Sequence, residues 1–66
     1  MNEELKKYEE EFNYLETLRQ SGITNMYGAA PYLAEAFCIS KTDARNILNL
    51  WMKNYETLMK YYGWTQ

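Results

Sequence analysis

The sequence predicts an all-α fold, a compact three-helix domain of long helix, short helix and long helix spanning residues 1–66. Three observations lead there. Apolar residues recur at spacings of three and four near both ends of the chain, which is the period of an amphipathic helix. A proline and a serine bound a short segment between those stripes. No run with the alternating pattern of a strand interrupts them.

Leu5, Tyr8, Phe12, Leu15 and Leu18 form the first stripe, with Glu9, Glu10, Glu11 and Glu16 read as lying mostly on the other faces. Gly22 suits the left-handed position that ends a helix, with Ile23 folding back on Leu18. The first helix is thus expected from about residue 3 to 21. Asn25 to Gly28 reads as a turn of short helical character, and Pro31 is pre-organised for a first helical turn. The second helix then starts near Ala30 and buries Tyr32, Leu33, Ala36 and Phe37. Gly28, Ala29 and Ala30 leave room for another helix to come close.

Cys38 and Ile39 make a brief turn, and Ser40 followed by Asp43 is a helix-starting signature. Ala44, Leu48, Trp51, Tyr55, Leu58 and Tyr62 then follow at spacings of four and three. That seam predicts one long third helix over about residues 41–62, roughly 33 Å at 1.5 Å per residue. Gly63 ends it, with Trp64 folding back onto Met59.

Size limits the means of stabilisation. The chain has 66 residues, one cysteine and no histidine. It cannot form an intrachain disulfide or a Cys/His zinc site, the usual staples of so small a domain. The two Trp, seven Tyr, two Phe and four Met must either fill a tight core or supply a contact with a second copy. A lone cysteine suits a reducing, cytoplasmic setting. The acidic start Met1-Asn2-Glu3-Glu4 is unlike a secretory leader, and no stretch approaches the roughly 18 apolar residues of a membrane span.

The same inventory argues against catalysis. Without an imidazole there is no Ser-His or Cys-His nucleophile, and the scattered glycines make no phosphate loop. Glu9, Glu10 and Glu11 point to different sides and read as a solvated face. Cys38, between Phe37 and Ile39, reads as a buried, inert thiol. No cofactor, metal or small-molecule substrate is expected.

A binding role is. Residues 33–47 resemble a helix-turn-helix unit, which joins two helices through a short turn and lays the second in a DNA groove. Leu33, Ala34 and Phe37 stand on the first helix, Ile39 in the turn, Ala44 and Ile47 on the second. The departure is Cys38, where such turns usually carry glycine; a left-handed conformation there costs roughly 1–2 kcal/mol more than for glycine. Lys41, Thr42, Arg45, Asn46 and Asn49 fall off the apolar seam, with Lys53 and Lys60 further along as phosphate contacts. Arg suits guanine and Asn suits adenine.

Charge divides the evidence. Residues 1–20 hold six Glu against Lys6, Lys7 and Arg19, a net −3; residues 21–66 are +1. A net charge of −2 gives little general attraction to phosphate. The alternative is a protein-interaction factor, monomeric or homodimeric, that docks Trp51, Met52, Tyr55, Met59, Tyr61 and Trp64 on a host protein. Such rings and thioethers are enriched at protein contacts.

The stretch Ser21-Gly22-Ile23-Thr24-Asn25-Met26-Tyr27-Gly28-Ala29-Ala30-Pro31-Tyr32-Leu33, with Ala44-Arg45 and Trp51-Met52 after it, resembles a group of short, uncharacterised helical proteins encoded by phages. The resemblance implies a phage origin and action inside an infected cell. It assigns no residue a role.

Overall fold

The computed structural model describes residues 3–64, and all its regular structure is helical. Helix α1 covers Glu3–Lys6 and α2 covers Glu9–Ser21. A 3-10 turn at Met26–Gly28 leads to α3 at Ala30–Phe37. Then come α4 at Lys41–Lys53 and α5 at Tyr55–Tyr62. The expected three helices are five segments, because each long one is interrupted once.

The first interruption is at Tyr8, with φ −106 and ψ 27 and no side-chain cap. Its N–H takes the tighter bond to the Leu5 carbonyl at 3.2 Å. Charge order favours the break. Glu3 and Glu4 open α1 and Lys6 closes it, while Glu9, Glu10 and Glu11 open α2 and Arg19 lies in its last turn. Each piece therefore matches its own helix dipole. At the other end Gly22 takes φ 71, as expected. Ile23, however, is 66% exposed and does not fold back on Leu18. The Ser21 hydroxyl replaces that clasp, donating to the Leu18 carbonyl at 2.7 Å and accepting the Ile23 N–H at 3.3 Å.

Asn25 closes the 3-10 turn by accepting the Gly28 N–H on its side chain at 3.0 Å. In α3, Pro31 stands in the first turn as expected. Its inner face differs from the expected one. Ala30 and Leu33 are buried with Ala34 and Phe37 packed against the core, whereas Tyr32 and Ala36 are exposed. The Phe37 ring meets Tyr14 of α2 edge-on at 5.6 Å.

The second interruption is at Asn54, inside what reads as a continuous seam. Its side-chain amide donates to the Leu50 carbonyl at 2.9 Å, beside its own backbone N–H at 3.0 Å. Asn side chains that compete for backbone partners in this way weaken helix interiors. The seam itself forms. Ala44, Leu48, Trp51 and Leu58 are buried, joined by Ile47, and Tyr55 and Tyr62 lie against them. Trp64 N–H reaches the Met59 carbonyl at 3.0 Å, but its ring stacks on Tyr55 and Tyr62.

Glu16 departs most from expectation: it is 4% exposed, not on an outer face. Four residues after Phe12, it sits within the apolar stripe. Its carboxylate accepts Arg19 Nε at 3.0 Å and Nη2 at 2.6 Å, Gln20 Nε2 at 2.9 Å and the Tyr55 hydroxyl at 3.1 Å. The last bond ties α5 to α2 across 39 residues. The Arg19 guanidinium also lies over the Tyr55 ring, 5.7 Å from its centroid. Burial alone raises the Glu16 pKa, but the hydrogen bonds from Arg19, Gln20 and Tyr55 outweigh it and leave the carboxyl below its ordinary value. Burial, then the Glu16 carboxylate, raises the Tyr55 pKa.

These shifts set the pH dependence. The unfolded chain protonates Glu16 more readily than the folded one, so the network stabilises fully above about pH 4.5 and is lost as pH falls through the folded pKa. Tyr55→Phe should lower stability by about 1.5–3 kcal/mol at neutral pH, the worth of one hydrogen bond to a charged group. It should also flatten the acid side of the profile. Urea midpoints measured from about pH 6 down to pH 3 check both, and coincident profiles for the two proteins would contradict the network.

Candidate nucleic-acid interface

The turn that presents α4 is built from three residues. Cys38 ends α3 at φ 54 and ψ 43, the only positive φ outside glycine among the described residues. That conformation brings both the Cys38 N–H and the Ile39 N–H onto the Ala34 carbonyl, the latter at 3.1 Å. Ile39 packs against the core while the Cys38 side chain is exposed. The expected buried thiol is thus corrected: the left-handed cap directs Ile39, not Cys38, inward. Ser40 then accepts the Asp43 N–H at 3.0 Å and starts α4. Asp43 in the first turn and Lys53 in the last suit the dipole.

Two faces of α4 follow from its period of about 100° per residue. Ala44, Ile47, Leu48 and Trp51 share the buried face. Thr42, Arg45, Asn46, Asn49 and Lys53 are all exposed and fall on the opposite side. Lys41 is exposed at the leading end. The six residues named from the sequence are thus brought onto one accessible helix. Its outward face carries Arg45 and Lys53 and no carboxylate of its own. Asp43 stands off to the side, lining a cleft with Tyr8, Glu11, Ile39, Asn46 and Ile47. Thr42, Asn49 and Lys53 therefore hold the centre of the outward face, with Asn46 toward the acidic cleft on one side and Arg45 toward the other edge. Lys60 is not part of this face: it lies on α5, with Nζ 3.5 Å from Glu56.

The aromatic end is packed to different depths along its length. Trp51 is 3% exposed and belongs to the core, with its ring 4.6 Å from Tyr55. Tyr55, Trp64, Tyr62 and Tyr61 continue the series, the last pair edge-on at 4.9 Å. Met52, Tyr55, Met59 and Trp64 are half-buried, leaving Tyr61 as the one well-exposed ring of the six residues named. Burial, with Glu9 and Tyr61 nearby, raises the Tyr62 pKa.

Exposure also falls where the sequence does not point. Tyr27 is 87% exposed in the 3-10 turn, and Tyr32 is exposed on α3 beside clefts lined by Tyr14, Pro31, Glu35 and Ala36. Tyr27 carries a weak signal in its place between turn residues. Tyr32 carries none, since eight residues of α3 are too few to set the phase of a stripe.

No match ties the chain to known proteins. Family models, curated proteins and solved structures all gave none. Among the described residues no group of three or more Cys, Asp or Glu side chains is placed to hold a metal ion. No described helix is long and apolar enough to cross a membrane.

The strained turn makes a direct prediction. Cys38→Gly should raise stability by about 1 kcal/mol, because glycine takes φ 54 without the Cβ clash and loses part of that gain to greater freedom in the unfolded chain. Thermal or urea unfolding of the two proteins measures it. A destabilised Cys38→Gly would mean that residue 38 is not left-handed.

Proposed function

We propose that this chain is a non-catalytic nucleic-acid-binding module of helix-turn-helix type, in which α3 and the Cys38–Ser40 turn hold α4 against its target. One observation carries the reading: α4 presents Thr42, Arg45, Asn49 and Lys53 outward, cationic and amide-bearing, with its carboxylate turned aside. The α3–α4 pair is closely packed through Leu33, Ala34, Ile39, Ala44 and Ile47, so the presenting helix is rigid. A backbone already held by packing loses little further freedom on binding. The resemblance to phage-encoded proteins is in keeping with a role in transcription within an infected cell.

A second reading is contact with a host protein or with another copy of the chain. What favours it is the set of large apolar side chains left in water, namely Ile23, Tyr27, Tyr32 and Tyr61. Folding of Trp51 into the core moves that reading away from the tryptophan end.

Fluorescence anisotropy with labelled random duplex DNA tests the leading reading. Lys41, Arg45 and Lys53 allow two or three phosphate contacts, so log affinity should fall against log salt with a slope of about −2 to −3. Arg45→Ala with Asn49→Ala should abolish binding while leaving stability within about 0.5 kcal/mol, since both side chains are exposed. Absence of binding at the lowest salt, or a silent double variant, would reject the reading in favour of protein contact.

A further inference from the structure

Two open clefts adjoin on the α2–α3 side of the molecule, built without any residue of α4. One is lined by Tyr14, Tyr32, Glu35 and Ala36, the other by Pro31, Tyr32 and Glu35. Tyr32 and Glu35 belong to both and stand one turn apart on α3, so together they form the ridge between the clefts. Tyr14 reaches this side from α2. Its hydroxyl donates to the Tyr32 carbonyl at 3.4 Å, and its ring packs edge-on against Phe37 at 5.6 Å. That wall is therefore in place before any partner arrives. Tyr32 itself is 41% exposed, a large ring left in water at the middle of the surface.

Peptides are recognised in a few conformations, and this surface suits one of them. Strand addition needs an open sheet edge, and no described residue lies in a strand. An amphipathic helix lays a continuous apolar face into its groove, but here a carboxylate stands in both clefts. Proline-rich segments dock in aromatic-lined grooves. Their helix has three residues per turn, so prolines at i and i+3 share a face, about 9 Å apart. Two adjoining clefts with a tyrosine between them match that repeat. The segment is already extended when free, so it loses little freedom on a small, open surface.

Charge narrows the partner further. Glu35 is the charged side chain common to both clefts, and among the described residues it makes no ion pair. Helix α3 carries no basic residue, and Glu10 and Glu11 stand one turn before Tyr14 on α2. A basic segment is attracted there and an acidic one repelled. The chain's one proline, Pro31, is built into α3, so the segment belongs to another protein.

We infer that the α2–α3 surface docks a basic, proline-rich segment of a partner protein in the polyproline II conformation. One proline sits on each side of Tyr32, and an arginine or lysine beside them pairs with Glu35. The inference rests on the protein-contact reading above and gives it a partner class.

Fluorescence anisotropy tests it with a short labelled peptide that carries prolines at i and i+3 next to an arginine. The peptide should bind saturably, and replacing both prolines by alanine or the arginine by glutamate should weaken it. Tyr32→Ala should lower affinity at least about tenfold, as expected of a central aromatic anchor. Glu35→Lys should invert the preference, weakening the arginine peptide and strengthening the glutamate one. Both side chains are exposed, so both variants should melt with the parent. Arg45→Ala with Asn49→Ala should leave peptide binding unchanged.

No binding of the proline peptide, or equal binding of its alanine form, would overturn the assignment. So would binding that Tyr32→Ala and Glu35→Lys both leave unaltered. Either failure strikes the occupant and not the protein-contact reading, which stands also on Ile23, Tyr27 and Tyr61.

Discussion

The inner face of α4 is what the rest of the molecule leans on. Ala44, Ile47, Leu48 and Trp51 are buried there, and α2, α3 and α5 all contact this helix. With one cysteine and no histidine, the domain has no disulfide or zinc site to substitute for that packing. Ala44, with none of its surface exposed, is the small residue that lets α3 and α4 close. Truncating a buried leucine typically costs 2–5 kcal/mol, against a total of about 5–15 kcal/mol for a domain. A helix committed so fully on one side can vary only on the other, and that side is where the candidate interface lies.

A second constraint is polar. Glu16 brings a carboxylate into the stripe of α2, and Arg19, Gln20 and Tyr55 surround it. A buried charge stripped of such partners is strongly destabilising. The network therefore ties α5 to α2 through the Tyr55 hydroxyl. It also explains why the aromatic end is not a free surface, since Tyr55 is held from both sides, by Glu16 and by the rings of Trp51 and Trp64.

What was legible in the sequence was what is periodic or depends on one residue's backbone chemistry. The stripes from Leu5 to Leu18 and from Ala44 to Tyr62, the Ser40 cap, the Pro31 start and the Gly22 and Gly63 ends all appear where they were expected. The breaks at Tyr8 and Asn54 were not legible, because the apolar phase runs through both without a skip. Glu16 was misread because its type outweighed its position: its burial depends on partners supplied by Arg19, Gln20 and a residue 39 positions away. Cys38 was read correctly as strained and wrongly as buried, since the left-handed turn that strains it also turns its side chain outward. Of the candidate interface, the exposure of Thr42, Arg45, Asn46, Asn49 and Lys53 was legible from the period, and the acidic cleft beside Asn46 was not, because it exists only once α4 is set beside Tyr8 and Glu11.

Charge is unevenly placed over the chain. Glu3, Glu4, Glu9 and Glu10 are exposed on α1 and α2, while Arg45 and Lys53 point outward from α4. The most direct measurement is an NMR titration of the isotope-labelled protein with a short DNA duplex. The account predicts that amide and side-chain signals of Thr42, Arg45, Asn49 and Lys53 move with duplex concentration while those of Tyr27, Tyr32 and Tyr61 stay fixed. Shifts confined to those tyrosines, or none on α4 at saturating duplex, would contradict it.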